Sequence, residues 1–293
     1  MSTLADDSVT VPVTDLEVLS QEIDDDEARY RIKAGRRVHY VTMLLLPNPI
    51  FDIDTLCRPY LLIPKLPPFP DSDWTMMHIY KTPNGKIEHI VSSEPLPGLE
   101  PLWHPRRIDI MSLKRIASHK PRVEEIEFEG HIALSKIAIF EWWIPQLERE
   151  VKVYESLSRD SSPGEPSIIP TFLGHLMEQE RCVGFLMEKV DGRHPTLDDF
   201  LACEAALLKL HRAGWVHGDV NRYNFLVERD TGHVKMIDFE HAEPYDEEKA
   251  QIELGELKAE LSEKIGRGAT VIVRDGVEEV AGPYYYPTRT QGC

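Results

Sequence analysis

Several function classes are argued against by what the chain has little of. Its four cysteines (Cys57, Cys182, Cys203 and Cys293) stand far apart with no CxxC pair, which speaks against a zinc site of paired thiols and against a disulfide framework, and predicts reduced thiols. No apolar run approaches the length that spans a bilayer; the longest, VTMLLL at 41–46, stops at Pro47. The opening MSTLADDSVT has neither the basic nor the apolar segment of a signal peptide, so a cytoplasmic protein with no membrane contact is expected. Positive charge is scarce as well. Against 50 Asp and Glu there are 33 Lys and Arg, a net charge of −17, which opposes nucleic-acid binding. What remains, 42% hydrophobic and 28% charged residues over 293 positions, is an ordinary globular composition.

The chemistry is concentrated in WVHGDVNRYNFLVERDTGHVKMIDFE, residues 215–240. It holds a His-x-Asp turn (His217, Asp219), an Asn five positions on (Asn224), and an Asp-Phe pair (Asp238, Phe239). Before it, Phe200, Cys203, Leu207, Leu210 and His211 recur at helical spacing, and Gly214 is a fitting stop. After Asn224, FLVE and HVKMID read as two strands joined through Asp230-Thr231-Gly232. Helix, loop, hairpin and second loop in this order bring Asp219, Asn224 and Asp238 to one edge. Moving a phosphoryl group needs such a set: one carboxylate to align and deprotonate a hydroxyl, and two oxygen ligands to hold Mg²⁺ against nucleotide phosphates.

These residues resemble the protein-kinase-like superfamily, and most closely its aminoglycoside/choline phosphotransferase branch as found in fungal kinase-like proteins. Gly218 stands where protein kinases carry Arg, Asn221 where Ser/Thr kinases carry a phosphate-contacting Lys, and Glu240 replaces the last glycine of their Asp-Phe-Gly. The resemblance covers about 107–265. It implies an α+β, two-lobed kinase-like fold with an antiparallel-sheet small lobe and a minimal helical large lobe. It also assigns roles: Asp219 as catalytic base, Asn224 and Asp238 as metal ligands, Lys136 in ALSKIAIF as the lysine reaching the α and β phosphates, and ATP and Mg²⁺ as cofactors. The partner of Lys136 would lie in LEREVKVYESL, where the stripe Leu147, Val151, Tyr154, Leu157 favours Glu150 over Glu148. VGFLMEKV resembles the strand entering a kinase hinge, with Met187 behind the adenine and the backbone of Glu188 and Val190 facing its edge. His217 is expected to brace the loop against Phe239.

Four segments follow: 1–28 a disordered acidic tail, 29–105 a β-rich accessory extension, 106–190 the small lobe, and 191–293 the large lobe and C-terminal tail. The first carries nine acidic residues and no Lys or Arg. In the second, Trp74–Ser92 reads as a hairpin turning at Asn84-Gly85. The small lobe should open with three strands, IDIMSLKRIA, VEEIEFEG and HIALSKIAIF. A kinase joins the first two with a glycine-rich loop so that backbone amides approach the phosphates. Here the join is SHKPR, without glycine, in a stretch carrying Arg106, Arg107, Lys114, Arg115, Lys120 and Arg122 against Asp109 alone. Either these cations cover the phosphates or the turn is merely solvated. Past Glu240, Leu254, Leu257, Leu261 and Ile265 mark an amphipathic helix, and no segment resembles a peptide-docking platform. The expected activity is ATP-dependent transfer to a small-molecule hydroxyl acceptor. A turnover-deficient pseudokinase or nucleotide-binding interaction module is the alternative, and an atypical protein kinase the third.

Overall fold

The structure, a computed structural model, describes residues 9–46, 49–159 and 164–263, with the backbone of three short strands beyond them. The chain divides into two compact units, 1–97 and 98–293. Residues 98–105 thus belong with the second unit, where Leu99 is buried and its N–H donates to the Cys182 carbonyl at 2.9 Å.

The first unit is a five-stranded sheet in sequence order: β1 (Leu16–Ile23), β2 (Glu27–Ala34), β3 (Arg37–Leu44), β4 (Met76–Lys81) and β5 (Ile87–Ser92), antiparallel except for β3 against β4. The hairpin of β4 and β5 turns through Asn84 and Gly85, whose φ of 85° is the reason for glycine there. Strand β1 corrects the expectation of a disordered tail over residues 16–23, while residues 1–8 lie outside those described. Leu16, Val18 and Ile23 pack on a core that includes Tyr30, Met43 and Trp74, and at the turn into β2 Arg29 pairs with Asp24 at 2.6 Å and with Glu27 at 2.7 Å. Apolar contacts with later strands, invisible to local composition, let the segment order.

The second unit has the expected α+β construction. Its seven-stranded sheet contains β6 (Arg107–Asp109), β7 (Lys114–Lys120), β8 (Val123–Phe128), β9 (His131–Ile137), β10 (Phe172–Glu178), β11 (Arg181–Glu188) and, later in the chain, Tyr284–Tyr285. Spatially the order runs from Tyr284–Tyr285 through β7, β8, β9, β11 and β10 to β6. The predicted first strand is in fact two. Asp109 accepts the Met111 N–H at 2.9 Å and turns the chain through a 3-10 segment, so β6 pairs in parallel with β10 at one edge while β7 pairs with β8.

Helix α1 (Ile144–Arg159) buries Leu147, Val151, Tyr154 and Leu157, the predicted stripe, among Phe172, Phe185 and Phe239. A short strand, Gly192–Arg193, leads to α2 (Phe200–Arg212), entered through a capping box of Thr196 and Asp199. The predicted hairpin is β12 (Phe225–Glu228) with β13 (Val234–Met236). Helix α3 (Glu247–Ser262) buries Leu257 and Leu261, with Leu254 half-buried; Ile265 lies outside the described residues. The backbone of Val271–Arg274 and Val277–Val280 forms a last strand pair. Among the described residues no helix is long and apolar enough to cross a membrane.

Candidate active site

Two polar networks sit beside one another in the second unit. The first surrounds Lys136, carried to the interior by β9. Its Nζ donates to Glu150 Oε2 at 2.5 Å and Asp238 Oδ1 at 2.6 Å, and lies 3.0 Å from Glu240 Oε1. The rival Glu148 instead accepts the Glu100 N–H at 2.9 Å. Burial works against the ammonium's charge, but Glu150, Asp238 and Glu240 together outweigh it and raise the Lys136 pKa. Burial likewise pushes the Glu150 carboxyl up, against the pull of Lys136. Asp238 goes the other way: burial opposes its ionisation, yet Lys136 and Lys120 hold it well below the usual carboxylate range.

Glu150, Asp238 and Glu240 place ligand oxygens within 4.8 Å of one another. Two further cations complete the network. Lys120 Nζ reaches Asp238 Oδ2 at 2.6 Å, and Arg122 Nη2 donates to both carboxylate oxygens of Glu240 at 3.0 Å. Lys120, Arg122 and Lys136 thus balance the three carboxylates.

The second network is the catalytic-loop candidate. Asp219 is exposed, and its Oδ2 accepts from Asn224 Nδ2 at 3.0 Å and Asn221 Nδ2 at 3.1 Å, which fixes the carboxylate plane. Asn221, read in sequence only as a substitution, is therefore a second clamp. His217 is fully buried and kept neutral chiefly by that burial; its Nε2–H donates to the Ile237 carbonyl at 3.1 Å. Its ring lies 5.1 Å from that of Phe239, as a brace requires, and Phe239 meets Tyr154 on α1 at 5.9 Å. Gly218 is the residue this turn permits: φ is 76°, and a Cβ would fall 2.1 Å from the His241 carbonyl oxygen.

Glu253 on α3 was not anticipated. Its Oε1 accepts the Gly218 N–H at 2.7 Å and its Oε2 pairs with His211 Nε2 at 2.7 Å, tying α2, the loop and α3 together. The available signal was a Glu directly before the apolar stripe of α3.

The networks meet through backbone: the Ile237 N–H donates to the Asn224 carbonyl at 3.0 Å. The two candidate metal ligands, Asn224 and Asp238, are not joined side chain to side chain, because the Asn224 amide is turned onto Asp219. Their donor set nonetheless fits a hard divalent cation, being carboxylate and amide oxygen. The Lys120 ammonium on Asp238 Oδ2 marks that oxygen as a cation position.

Met187 is buried on β11 and accepts the Tyr154 hydroxyl proton at 3.3 Å. The Glu188 N–H donates to the Thr171 carbonyl at 2.9 Å and its carboxylate accepts from Thr171.

Residues 200–270 match the model of the lipopolysaccharide kinase (Kdo/WaaP) family, a stretch from α2 through both loops and α3 into residues outside those described. No curated protein matches the chain. The match is to a kinase family, so it supports a protein-kinase-like superfamily and phosphotransfer in general.

Proposed function

We propose that the second unit is an ATP-dependent phosphotransferase of the aminoglycoside/choline type, moving the γ-phosphoryl group of Mg-ATP to a hydroxyl of a small molecule. The observation that carries this reading is Lys136 bridging Glu150 and Asp238 at 2.5 and 2.6 Å, which holds one ammonium rigidly at the mouth of the metal loop. A buried pair of this kind fixes direction more than it stabilises the fold.

Asp219, with Oδ2 clamped by two amides, aligns the acceptor hydroxyl and takes its proton as the new O–P bond forms and the bond to the leaving ADP oxygen breaks. Lys136 donates to the phosphates it faces. Asn224 and Asp238 are the residues that would hold Mg²⁺, which when bound neutralises phosphate charge. Met187 backs the adenine site. With the Glu188 N–H engaged by Thr171, the Glu188 carbonyl and Val190 are the backbone groups assigned to the adenine edge. The acceptor is read as small because the chain passes from Glu240 to α3 at Glu247 with no segment between them on which a peptide could dock.

A second reading, a binding module without turnover, draws support from one feature: Lys120 and Arg122 already neutralise Asp238 and Glu240 without a metal. Paired variants separate the two. Asp219→Asn should leave nucleotide affinity within about twofold and lower turnover by roughly 10²-fold or more. Asp238→Asn should instead weaken the Mg²⁺-dependent part of nucleotide binding. Equal loss of affinity in both variants would contradict these roles, and wild-type protein that binds Mg-ATP yet consumes none with any alcohol would favour the binding module.

A further inference from the structure

A kinase site needs donors over the transferred phosphates. Here the connection from β7 to β8 is only Pro121-Arg122, with Lys120 and Val123 paired across it. Arg122 occupies the second central position at φ 71°, a conformation that glycine adopts freely and a residue with a Cβ does not. Strain of this kind persists only where the surroundings enforce it, and three contacts do so. The guanidinium donates to both oxygens of Glu240 at 3.0 Å, lies 4.0 Å from the centre of the Trp143 ring, and the Arg122 carbonyl accepts the Ile137 N–H at 3.0 Å. The turn is thereby fastened to the metal loop and to β9. Lys120 is the more exposed of the two cations, with 42% of its side chain accessible, and among the described residues its ion pair is to Oδ2 of Asp238.

We infer that this turn is the phosphate cover of the site: Lys120 contacts the terminal phosphates of the nucleotide, and Arg122 is a positioning residue that holds the turn in place through Glu240. This rests on the phosphotransferase reading above. A side-chain ammonium thus does the work that backbone amides do over a glycine-rich loop. The same geometry gives Lys120 two positions. Asp238 would hold the metal and Lys120 would then be repelled from the carboxylate, so Lys120 would exchange its contact with Asp238 for phosphate oxygens. One ion pair is exchanged for another, and an empty site keeps Asp238 neutralised.

The test is binding, measured by calorimetry on the full chain with Mg²⁺ plus a non-hydrolysable ATP analogue, Mg²⁺ plus ADP, and Mn²⁺ alone. Lys120→Met should weaken the ATP analogue by roughly tenfold while changing ADP by less than about threefold, because the lost contact is to the terminal phosphate. The same variant should bind Mn²⁺ alone more tightly than wild type, since a competitor for Asp238 has gone. Lys120→Arg, which keeps the charge, should stay within about threefold of wild type for the analogue. Arg122→Gly suits the turn's backbone, so it should fold, yet it should weaken the analogue about as much as Lys120→Met because the turn is no longer fastened. If Lys120→Met and Arg122→Gly both bind the analogue as wild type does, the inference is wrong and the phosphotransferase reading stands. If wild type binds neither nucleotide, the reading of the site falls and takes the inference with it.

Discussion

Replacing Lys136 by Met gives a sharp test of how the site is held together. The ammonium is shared by Glu150, Asp238 and Glu240, whose oxygens lie within 4.8 Å of one another, and the Lys136 side chain is 4% exposed. Removing one partner of a buried ion pair costs about 3–5 kcal/mol, because the charge left behind is neither hydrated nor compensated. Three carboxylates share the loss here, so the upper part of that range is expected. Lys120 and Arg122 still face Asp238 and Glu240, whereas among the described residues Glu150 pairs with Lys136 and no second cation. Glu150 is therefore where the penalty falls, and it can be relieved by a proton. A carboxyl whose folded pKa lies above its unfolded value binds a proton more tightly in the folded chain; the fold is then favoured at acidic pH and loses stability as pH climbs past the ordinary carboxylate range. Glu150 is already pushed up to about 7 with Lys136 present, and its removal pushes it further. Urea denaturation should show a loss at pH 8 that exceeds the loss at pH 5.5 by about 1 kcal/mol, because the wild-type carboxyl already holds its proton up to about 7 and only the rest of that interval sets the variant apart. Glu150→Gln, which leaves Lys136 its contacts to Asp238 and Glu240, should cost only about 1–2 kcal/mol. A Lys136→Met loss below about 1 kcal/mol, or one that is equal at the two pH values, would refute the claim that this ammonium neutralises the cluster.

Two more variants test the loop and the sheet. Gly218→Ala places a Cβ 2.1 Å from the His241 carbonyl oxygen at a φ of 76°, so backbone must move; the expected cost is about 2–4 kcal/mol by denaturation, and a change within about 0.5 kcal/mol would mean the turn tolerates a side chain after all. His175, fully buried on β10, is pushed down to about 4, first by its burial and then by Arg107. Its neutral ring contributes stability that is complete above an ordinary histidine pKa of about 6.5 and lost as pH falls from there toward 4, so His175→Gln should flatten the pH dependence of unfolding in that window by up to about 1.4 kcal/mol per pH unit.

What the sequence revealed and what it hid divide along the range of the interactions. The strand pair around Asp230-Thr231-Gly232, the stripe of α1 that singles out Glu150, and the turn at Asn84-Gly85 depend on residues a few positions apart, and each is legible. The ordering of residues 16–23 is not, because it comes from packing of Leu16, Val18 and Ile23 on Tyr30, Met43 and Trp74, residues further along the chain. The break between β6 and β7 was hidden by continuous apolar spacing; Asp109 bonding forward to Met111 interrupts it, a local competition that side-chain carboxylates readily win. Glu253 was missed for a related reason. On a helix face beside leucines, a Glu reads as solvated unless the loop amide it accepts from is known.

The two departures from the kinase pattern, a first hairpin without glycine and a Glu in place of the glycine after Asp238-Phe239, look in sequence like separate defects. In the fold they are one interaction, Arg122 with Glu240. A third carboxylate beside Glu150 and Asp238 would repel both, so a Glu at 240 demands a fixed cation within reach; a glycine at 122 could not supply it. Conversely, a turn whose side chain is fastened by Glu240 and Trp143 has no use for glycine's freedom, since its conformation is imposed from outside. Either change alone upsets the balance of three cations against three carboxylates around Lys136. The absence of glycine is therefore poor support for a site that has lost its chemistry: the replacement is matched across 118 positions of chain, and the matched pair holds the turn that places Lys120 on Asp238.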